Sequence, residues 1–311
     1  MLAFGCAWLW FFRREYRFPR ALLLIPVGIG AIWLANAVRI AVLVLIGEAG
    51  AERIALGGFH SQAGWIAFLA VALAFSAGSR RLRWLCVAGP APDPTESSVP
   101  ALNPAAPYLM PFLAILAAAL VAQAASAGFE WLYPLRFFAA GTALWIYRRE
   151  YCRMDWSVSW IAPAAGILVF AIWMGLERAH SPGDALPVGA GLAGLSSPLR
   201  TTWLFFRVVG AVITVPLAEE LAFRGFLMRR LAARDIDSVS LTTFALAPFV
   251  ISSVAFGTLH GERWLAGTLA GAVYAAVLLR RGSIGDAVLA HSVTNAVLAV
   301  YVLSTGAWSL W

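Results

Sequence analysis

Long runs of apolar residues constrain this chain more than any other feature. An α-helix needs about 20 predominantly apolar residues to cross a bilayer. Several segments meet or approach that length, and a few shorter ones are weaker candidates. The longer segments are 21–46, 108–127, 158–176, 201–218, 241–259, 264–279 and 284–303, and the shorter ones are 2–12, 63–78 and 135–147. The sequence therefore predicts about ten membrane helices.

The composition agrees with membrane insertion. Of the 311 residues, 61% are hydrophobic and only 13% are charged, whereas a soluble domain carries roughly 25% charged residues. This number of charged residues is too small to cover a water-exposed surface of this size. Lipid must therefore be the solvent for much of the protein surface. Because lipid does not tolerate exposed irregular backbone, the predicted fold class is all-α: a polytopic transmembrane helical protein in two blocks.

Arginine residues cluster on alternate connections between the predicted helices. The clusters are Arg13, Arg14, Arg17 and Arg20; Arg80, Arg81 and Arg83; Arg148, Arg149 and Arg153; Arg229, Arg230 and Arg234; and Arg280 and Arg281. The connections between them, such as 47–62 and 177–200, hold few basic residues. Because basic residues stay on the cytoplasmic side, this alternation predicts a multi-pass protein of the cell inner membrane. The basic excess is the ordinary orientation bias, so no nucleic-acid partner is predicted.

A proline-rich segment, residues 87–107, divides the chain. Its sequence, VAGPAPDPTESSVPALNPAAP, has no apolar period and is typical of a linker. We therefore predict an N-terminal membrane block over residues 1–86 and a C-terminal membrane block over residues 108–311.

Charged residues inside one predicted helix mark the C-terminal block. Glu219, Glu220 and Arg224 lie in the apolar segment AVITVPLAEELAFRGFLMRR, residues 211–230. Glu220 and Arg224 are four residues apart, so they face each other on a helix and can neutralise one another. Glu219 points about 100° away and keeps an unpaired carboxylate, which becomes a competent general base when it is removed from water. Intramembrane charge is a sign of function, although such a pair can also be purely structural.

Two further segments carry imidazole groups. SVAFGTLH ends at His260, and HSVTN contains His291 and Asn295 four residues apart. Positions four apart share a helix face, so His291 and Asn295 can present an imidazole and an amide to one point. That arrangement suits an oxyanion hole. A single buried histidine is more often a packing residue, but the three segments together in this order favour a site.

The order EELAFR, FGTLH and HSVTN resembles the CPBP family of membrane proteases, which includes CAAX prenyl endopeptidases of the Ras-converting type and bacteriocin-processing enzymes. The family patterns EExxxR, FxxxH and HxxxN are all met. The resemblance implies that Glu219 and His260 activate a water molecule. It also implies that His291 and Asn295 stabilise the tetrahedral oxyanion. A peptide bond would then be hydrolysed without a covalent intermediate.

A zinc site is the chemical alternative, because two histidines and a glutamate are plausible ligands. The HExxH motif is absent, and we predict no metal. The resemblance instead implies that Glu220 and Arg224 hold the shape of the site. Simple topology puts Glu219 and His291 nearer the cytoplasmic side and His260 at the opposite end of its helix. A short, tilted or broken helix must therefore bring them together.

The N-terminal block holds a second pair of polar residues. Arg39 lies with Asn36 inside the predicted helix 21–46, and His60 follows in the outer loop within GGFHSQAGW. An arginine and a histidine on one side of the membrane suggest a second polar site. In the alternative interpretation, Arg39 extends outward from near the helix end to reach water.

NAVR and FHSQAG resemble the arginine and histidine segments of the exosortase and archaeosortase family, with Arg39 and His60 as counterparts. An exosortase segment followed by a CPBP segment resembles the exosortase E/protease fusion linked to VPEID-CTERM protein sorting. The family's nucleophilic cysteine precedes these segments in a CSG-like motif, which is absent here. Cys6 lies within an apolar run and is interpreted as a packing residue. We therefore expect the chain to begin downstream of the nucleophile and to lack sortase activity.

Together these features predict an intramembrane endopeptidase linked to exosortase-type protein sorting. The expected partners are membrane lipid and a protein or peptide substrate with a C-terminal sorting segment, and no cofactor is predicted. Three other functions stay open. They are a cysteine-dependent transpeptidase, a non-catalytic membrane protein that keeps the CPBP fold, and a small-molecule or ion transporter, which the motif order disfavours.

Overall fold

A computed structural model describes residues 1–87, 103–177 and 187–311, so most of the predicted linker 87–107 lies outside the described residues. Within these ranges the chain is helical, and no β-strand is present beyond an isolated bridge between Tyr16 and Cys86. The all-α fold class is therefore confirmed. The principal described helices are α1 (Leu2–Phe11), α2 (Arg20–Glu48), α3 (Glu52–Arg81), α4 (Ala106–Ala124), α5 (Pro134–Ile146), α6 (Ile161–Glu177), α7 (Ser197–Ala232), α8 (Leu246–Thr258), α9 (Trp264–Arg281) and α10 (Ile284–Thr305).

The long helices have the length and surface of membrane helices. By length and composition, α2, α3, α4, α7 and α10 can each cross a membrane, whereas α1, α6 and α8 are apolar but shorter. On α2, the side chains of Val27, Trp33 and Leu34 are 64%, 72% and 60% exposed, which suits contact with lipid chains instead of water. The chain is a multi-pass membrane protein, and the count of ten membrane helices stays a prediction.

The described residues divide into two compact units. The first contains residues 1–87 and 120–130, and the second contains residues 103–119, 131–177 and 187–311. Arg39 and His60 belong to the first unit, and all residues of the CPBP resemblance belong to the second. The predicted block boundaries at 86 and 108 stay a prediction.

Small residues allow the helices of the second unit to pack closely. A Cβ atom added to Gly267 of α9 would lie 3.0 Å from the Cα atom of Gly257 on α8. A Cβ atom added to Gly166 of α6 would lie 2.8 Å from the Cβ atom of Val293 on α10. Membrane helices use small residues in this way because close backbone approach increases van der Waals contact. The polar faces of α8, α9 and α10 are thereby held near one another.

A buried carboxylate anchors the start of α10. Asp286, in the first turn, is fully buried and accepts hydrogen bonds from the backbone N–H (2.6 Å) and the hydroxyl (2.9 Å) of Ser159. Asp286 also has a charged neighbour, Arg281, whose Nε atom lies 3.2 Å from Oδ2 of Asp286. A negative charge in the first turn also suits the helix dipole. Asp286 therefore fixes the start of the helix that carries His291.

We expect Asp286→Ala to lower the free energy of unfolding by about 2–3 kcal/mol, because two donors on the half-buried Ser159 lose their acceptor. The measurement is denaturant unfolding of the purified protein in detergent. The matched control is Asp155→Ala, because the exposed Asp155 accepts a bond from the backbone N–H of Ser157 (2.8 Å). Equal losses for the two variants would contradict an anchoring role for Asp286.

Candidate active site

Helix α7, which carries both glutamates, departs twice from regular α-helical geometry. π-helical turns occupy Gly210–Thr214 and Leu221–Leu227, on either side of the regular turn Val215–Glu220. Pro216 has no N–H to donate to the preceding turn, and the first π-helical turn lies at that point. Such turns are frequent at functional sites, and here they flank Glu219 and Glu220.

Glu220 and Arg224 form an ion pair that is fully closed to solvent. Arg224 donates from Nη1 to Oε1 of Glu220 (3.2 Å), and its Nε atom lies 3.1 Å from Oε2. The Nη2 atom donates to the carbonyl of Gly271 (2.8 Å), and the guanidinium lies 4.3 Å from the centre of the Phe256 ring. Gly271 makes this approach possible, since a Cβ atom there would lie 3.1 Å from Nη2.

His291 is fixed against the same carboxylate. Its Nδ1 atom lies 3.0 Å from Oε1 of Glu220. An ionised carboxylate only accepts, so Nδ1 carries the proton, and Nε2 of the neutral ring is then an acceptor. The ring stacks on Tyr274 with centroids 4.8 Å apart, and the Tyr274 hydroxyl donates to Thr294 (2.8 Å). The orientation of the imidazole is thus set on two sides.

Of the two adjacent glutamates, Glu220 is neutralised by Arg224 and Glu219 is not neutralised by an arginine. Its side chain is 14% exposed, and its Oε2 atom lies 3.9 Å from Nε2 of His291. Oε2 has no hydrogen-bond partner among the described residues. A nearly buried carboxylate oxygen with an open acceptor position is rare, and it can accept from a molecule in the adjoining cavity.

His260 reaches the site from the end of a short helix. The 13 residues of α8 span only about 20 Å at 1.5 Å per residue, less than the ~30 Å hydrocarbon core. The sequence placed His260 at the opposite membrane depth from Glu219 and His291. Of the three solutions named, a short, tilted or broken helix, the structure has a short one. The Nδ1 atom of His260 lies 3.1 Å from the carbonyl of Phe256. A carbonyl only accepts, so Nδ1 donates, and Nε2 of the neutral ring is left with its lone pair.

Asn295 is held by the first π-helical turn of α7. Its Nδ2 atom donates to the carbonyl of Ala211 (2.8 Å). One of the two amide N–H groups is therefore occupied, and the other has no partner within the described chain. Spacing alone did not indicate this contact, since the two residues are 84 positions apart.

A cavity of about 240 Å³ joins the four predicted catalytic residues, because Glu219, His260, His291 and Asn295 all line it. The rest of its wall is mainly aromatic and apolar. Those residues include Tyr133, Trp173, Val215, Phe256, Tyr274, Leu298 and Trp311. A mostly apolar cavity with a few convergent polar groups is the usual form of a substrate site, and this volume holds several water molecules.

Several positioning residues were missed by the sequence analysis. Tyr274 and Thr294 orient His291, and Gly271 accepts from Arg224. Gly267 makes room for His260, since a Cβ atom there would lie 2.7 Å from Nδ1. Gly267 and Gly271 are four residues apart on α9, and this small-residue spacing was the one available signal of close helix contact.

A metal-ligand cluster does not form in the part of the chain that the structure describes. No three His, Cys, Asp or Glu residues there come close enough to hold an ion. The described residues therefore provide no set of ligands for the zinc site considered above.

In the first unit, Arg39 and His60 are joined through the backbone. The Nη2 atom of Arg39 donates to the carbonyl of His60 (2.6 Å), and the His60 side chain is exposed. Cys6 instead lines a separate surface cavity together with Trp10 and Arg13. The arginine and histidine segments therefore meet in space, and their catalytic role stays a prediction.

The fold and the cavity define a multi-pass membrane protein with a buried polar site. Within this class, residues 201–297 match the family model of type II CAAX prenyl endopeptidases, Rce1-like. Residues 1–77 match the transmembrane exosortase family model. No curated protein and no solved structure matches. The two matches confirm the resemblance to an exosortase segment followed by a CPBP protease, and they support a membrane-protease function linked to exosortases.

The buried charges lead to a prediction about stability. We expect Arg224→Met to lower the free energy of unfolding by about 3–5 kcal/mol, because Glu220 is left buried without its counter-charge. The double variant Glu220→Gln/Arg224→Met should recover part of this loss. Both are measured by denaturant unfolding in detergent. If the double variant is less stable than Arg224→Met alone, the ion pair is not what balances Glu220.

Proposed function

We propose that the second unit is an intramembrane endopeptidase in which Glu219 and His260 activate a water molecule. One observation carries this proposal: Glu219, whose Oε2 atom has no hydrogen-bond partner among the described residues, lines the same cavity as His260. The proposed substrate is a membrane protein or peptide with a C-terminal sorting segment. We further propose that the chain has ten membrane helices.

The acceptor atoms of Glu219 and His260 define their proposed roles. The Nε2 lone pair of His260 and the Oε2 atom of Glu219 are both acceptors, so one water molecule can donate to each. Glu219 takes one proton as the oxygen attacks the peptide carbonyl carbon. The C–N bond then breaks, and Glu219 returns that proton to the leaving amine. The Glu219 side chain is only 14% exposed, and exclusion of bulk water strengthens these interactions.

The oxyanion of the tetrahedral intermediate needs donors. The second N–H group of Asn295 is one candidate. Neutral His291 offers only an acceptor at Nε2, so it must carry a second proton to donate there. Glu220, 3.0 Å from Nδ1, can balance that charge, and Glu219, 3.9 Å from Nε2, does so before it takes the proton from water. Fixed donors of this kind contribute strongly because they need no reorganisation during the reaction.

We expect Glu219→Gln to reduce peptide cleavage by about 10²–10⁴-fold, because the amide cannot take a proton from water. Cleavage is measured by mass spectrometry on proteoliposomes incubated with a mixed-sequence peptide library. The matched control is Glu52→Gln, at an exposed position of the first unit, which should cleave as the wild type does. Retained cleavage by a folded Glu219→Gln variant would rule out the assignment.

We also propose that substrate enters from the non-cytoplasmic side of the cell inner membrane. The cavity runs from Glu219 towards Tyr133 and Trp311. Tyr133 lies in the arginine-poor connection 128–134, and Trp311 follows the end of α10, whereas Arg229 lies at the C-terminal end of α7 and Arg281 precedes the start of α10. The positive-inside rule assigns the arginine-rich ends to the cytoplasm.

This orientation predicts the labelling pattern of two cysteines. The test chain carries Cys6→Ser, Cys86→Ser and Thr305→Cys, and it keeps the exposed Cys152 beside Arg153 as an internal control. In intact spheroplasts, a membrane-impermeant maleimide should modify position 305 and reach Cys152 only after lysis. The reverse pattern would contradict the proposed side of entry.

A further inference from the structure

We infer that the cavity end lined by Tyr133, Arg207 and Trp311, here called the arginine end, binds a carboxylate of the substrate through Arg207. The inference rests on the proposed function and adds a specificity-determining residue to it. A chain terminus and an acidic side chain are both sources of such a carboxylate. Neither family motif includes Arg207, and no step of the proposed hydrolysis uses it.

Arg207 is charged but has no acidic partner among the described residues. Its contacts there are with two aromatic rings: the guanidinium lies 4.5 Å from the centre of Tyr133 and 5.3 Å from the centre of Trp311. Its Nε atom is buried and has no hydrogen-bond acceptor. The Nε atom of Arg224 is also buried without a hydrogen bond, but Arg224 has Glu220 as its counter-charge and donates to a backbone carbonyl. A buried guanidinium N–H without an acceptor is unfavourable, so an anion supplied from outside would complete its coordination.

The aromatic rings make this guanidinium suitable for a carboxylate. Contacts with Tyr133 and Trp311 restrain the planar group, and a restrained guanidinium loses little entropy when it forms two parallel hydrogen bonds. Arg136 lies at the same end, with its guanidinium 5.1 Å from the centre of the Tyr133 ring.

The distance to the catalytic carboxylate sets the scale of the substrate. Arg207, Ala211, Val215 and Glu219 line the cavity along one helix at four-residue spacing. At 1.5 Å per residue, the twelve positions from Arg207 to Glu219 correspond to roughly 18 Å. An extended peptide covers about 3.3 Å per residue, so at least about five residues are needed to span the distance between the bound carboxylate and the cleaved bond. Ala211 and Val215 give the intervening wall an apolar surface.

The test uses full-length protein in zwitterionic proteoliposomes and apolar decapeptides in three forms. One ends in a free carboxylate, one ends in an amide, and one ends in an amide but carries a single glutamate. We expect the wild type to cleave at least one anionic form about tenfold or more faster than the neutral form, as for a charge-assisted hydrogen bond. The preferred anionic form identifies the source of the carboxylate.

In Arg207→Gln the preference for the anionic peptides over the neutral peptide should disappear. Arg207→Lys should keep part of the preference. Arg230→Gln, exposed on the same helix, should keep all of it. Preference that survives in Arg207→Gln, or no preference in the wild type, would overturn the inference. If neutral-peptide cleavage requires anionic lipid in the wild type but not in Arg207→Gln, Arg207 binds a lipid phosphate instead.

A binding measurement separates this inference from the proposed function. Fluorescence anisotropy gives the affinity of labelled peptides for Glu219→Gln and for Glu219→Gln/Arg207→Gln. An absence of cleavage by any form of the protein would defeat the proposed function alone. An affinity ratio between anionic and neutral peptides of about tenfold, lost when Arg207 is replaced, would still support the carboxylate site. A ratio near one would reject it.

Discussion

Charge balance inside an apolar helix bundle is the constraint on which the second unit depends. Glu220 and Arg224 are both fully buried, and neither could stay charged there alone. Arg224 and His291 both contact Glu220, and Gly271 supplies a further acceptor to Arg224. This network gives the Glu220 carboxylate contacts with Arg224 and His291 and leaves Glu219 beside it without an arginine. The contrast between two adjacent glutamates is what gives the cavity its chemistry.

The helices depart from regular geometry around the same network. The π-helical turns of α7 adjoin the glutamate pair, and the carbonyl of Ala211 in the first of them accepts from Asn295. The short helix α8 ends where His260 can reach the site, and Gly267 of α9 leaves space for its ring. Each departure brings a polar group from a different helix to one cavity.

The sequence was sufficient for the parts that depend on local spacing. Residues close together in the chain determine the helical class, the Glu220–Arg224 pair and each of the three motifs. The sequence could not reveal contacts between distant segments. The bond from His291 to Glu220 joins residues 71 positions apart, and that from Arg224 to Gly271 joins residues 47 positions apart. Arg207 looked like an ordinary helix residue because its aromatic neighbours come from distant parts of the chain.

The central claim is that water, and not a protein side chain, attacks the peptide bond. It is tested most directly by single-turnover cleavage in ¹⁸O-labelled water with added hydroxylamine. The account predicts one ¹⁸O atom in the new carboxylate of the product and no hydroxamate. Formation of a peptide hydroxamate would contradict it, because hydroxylamine traps a covalent acyl-enzyme and not an intermediate formed by direct attack of water.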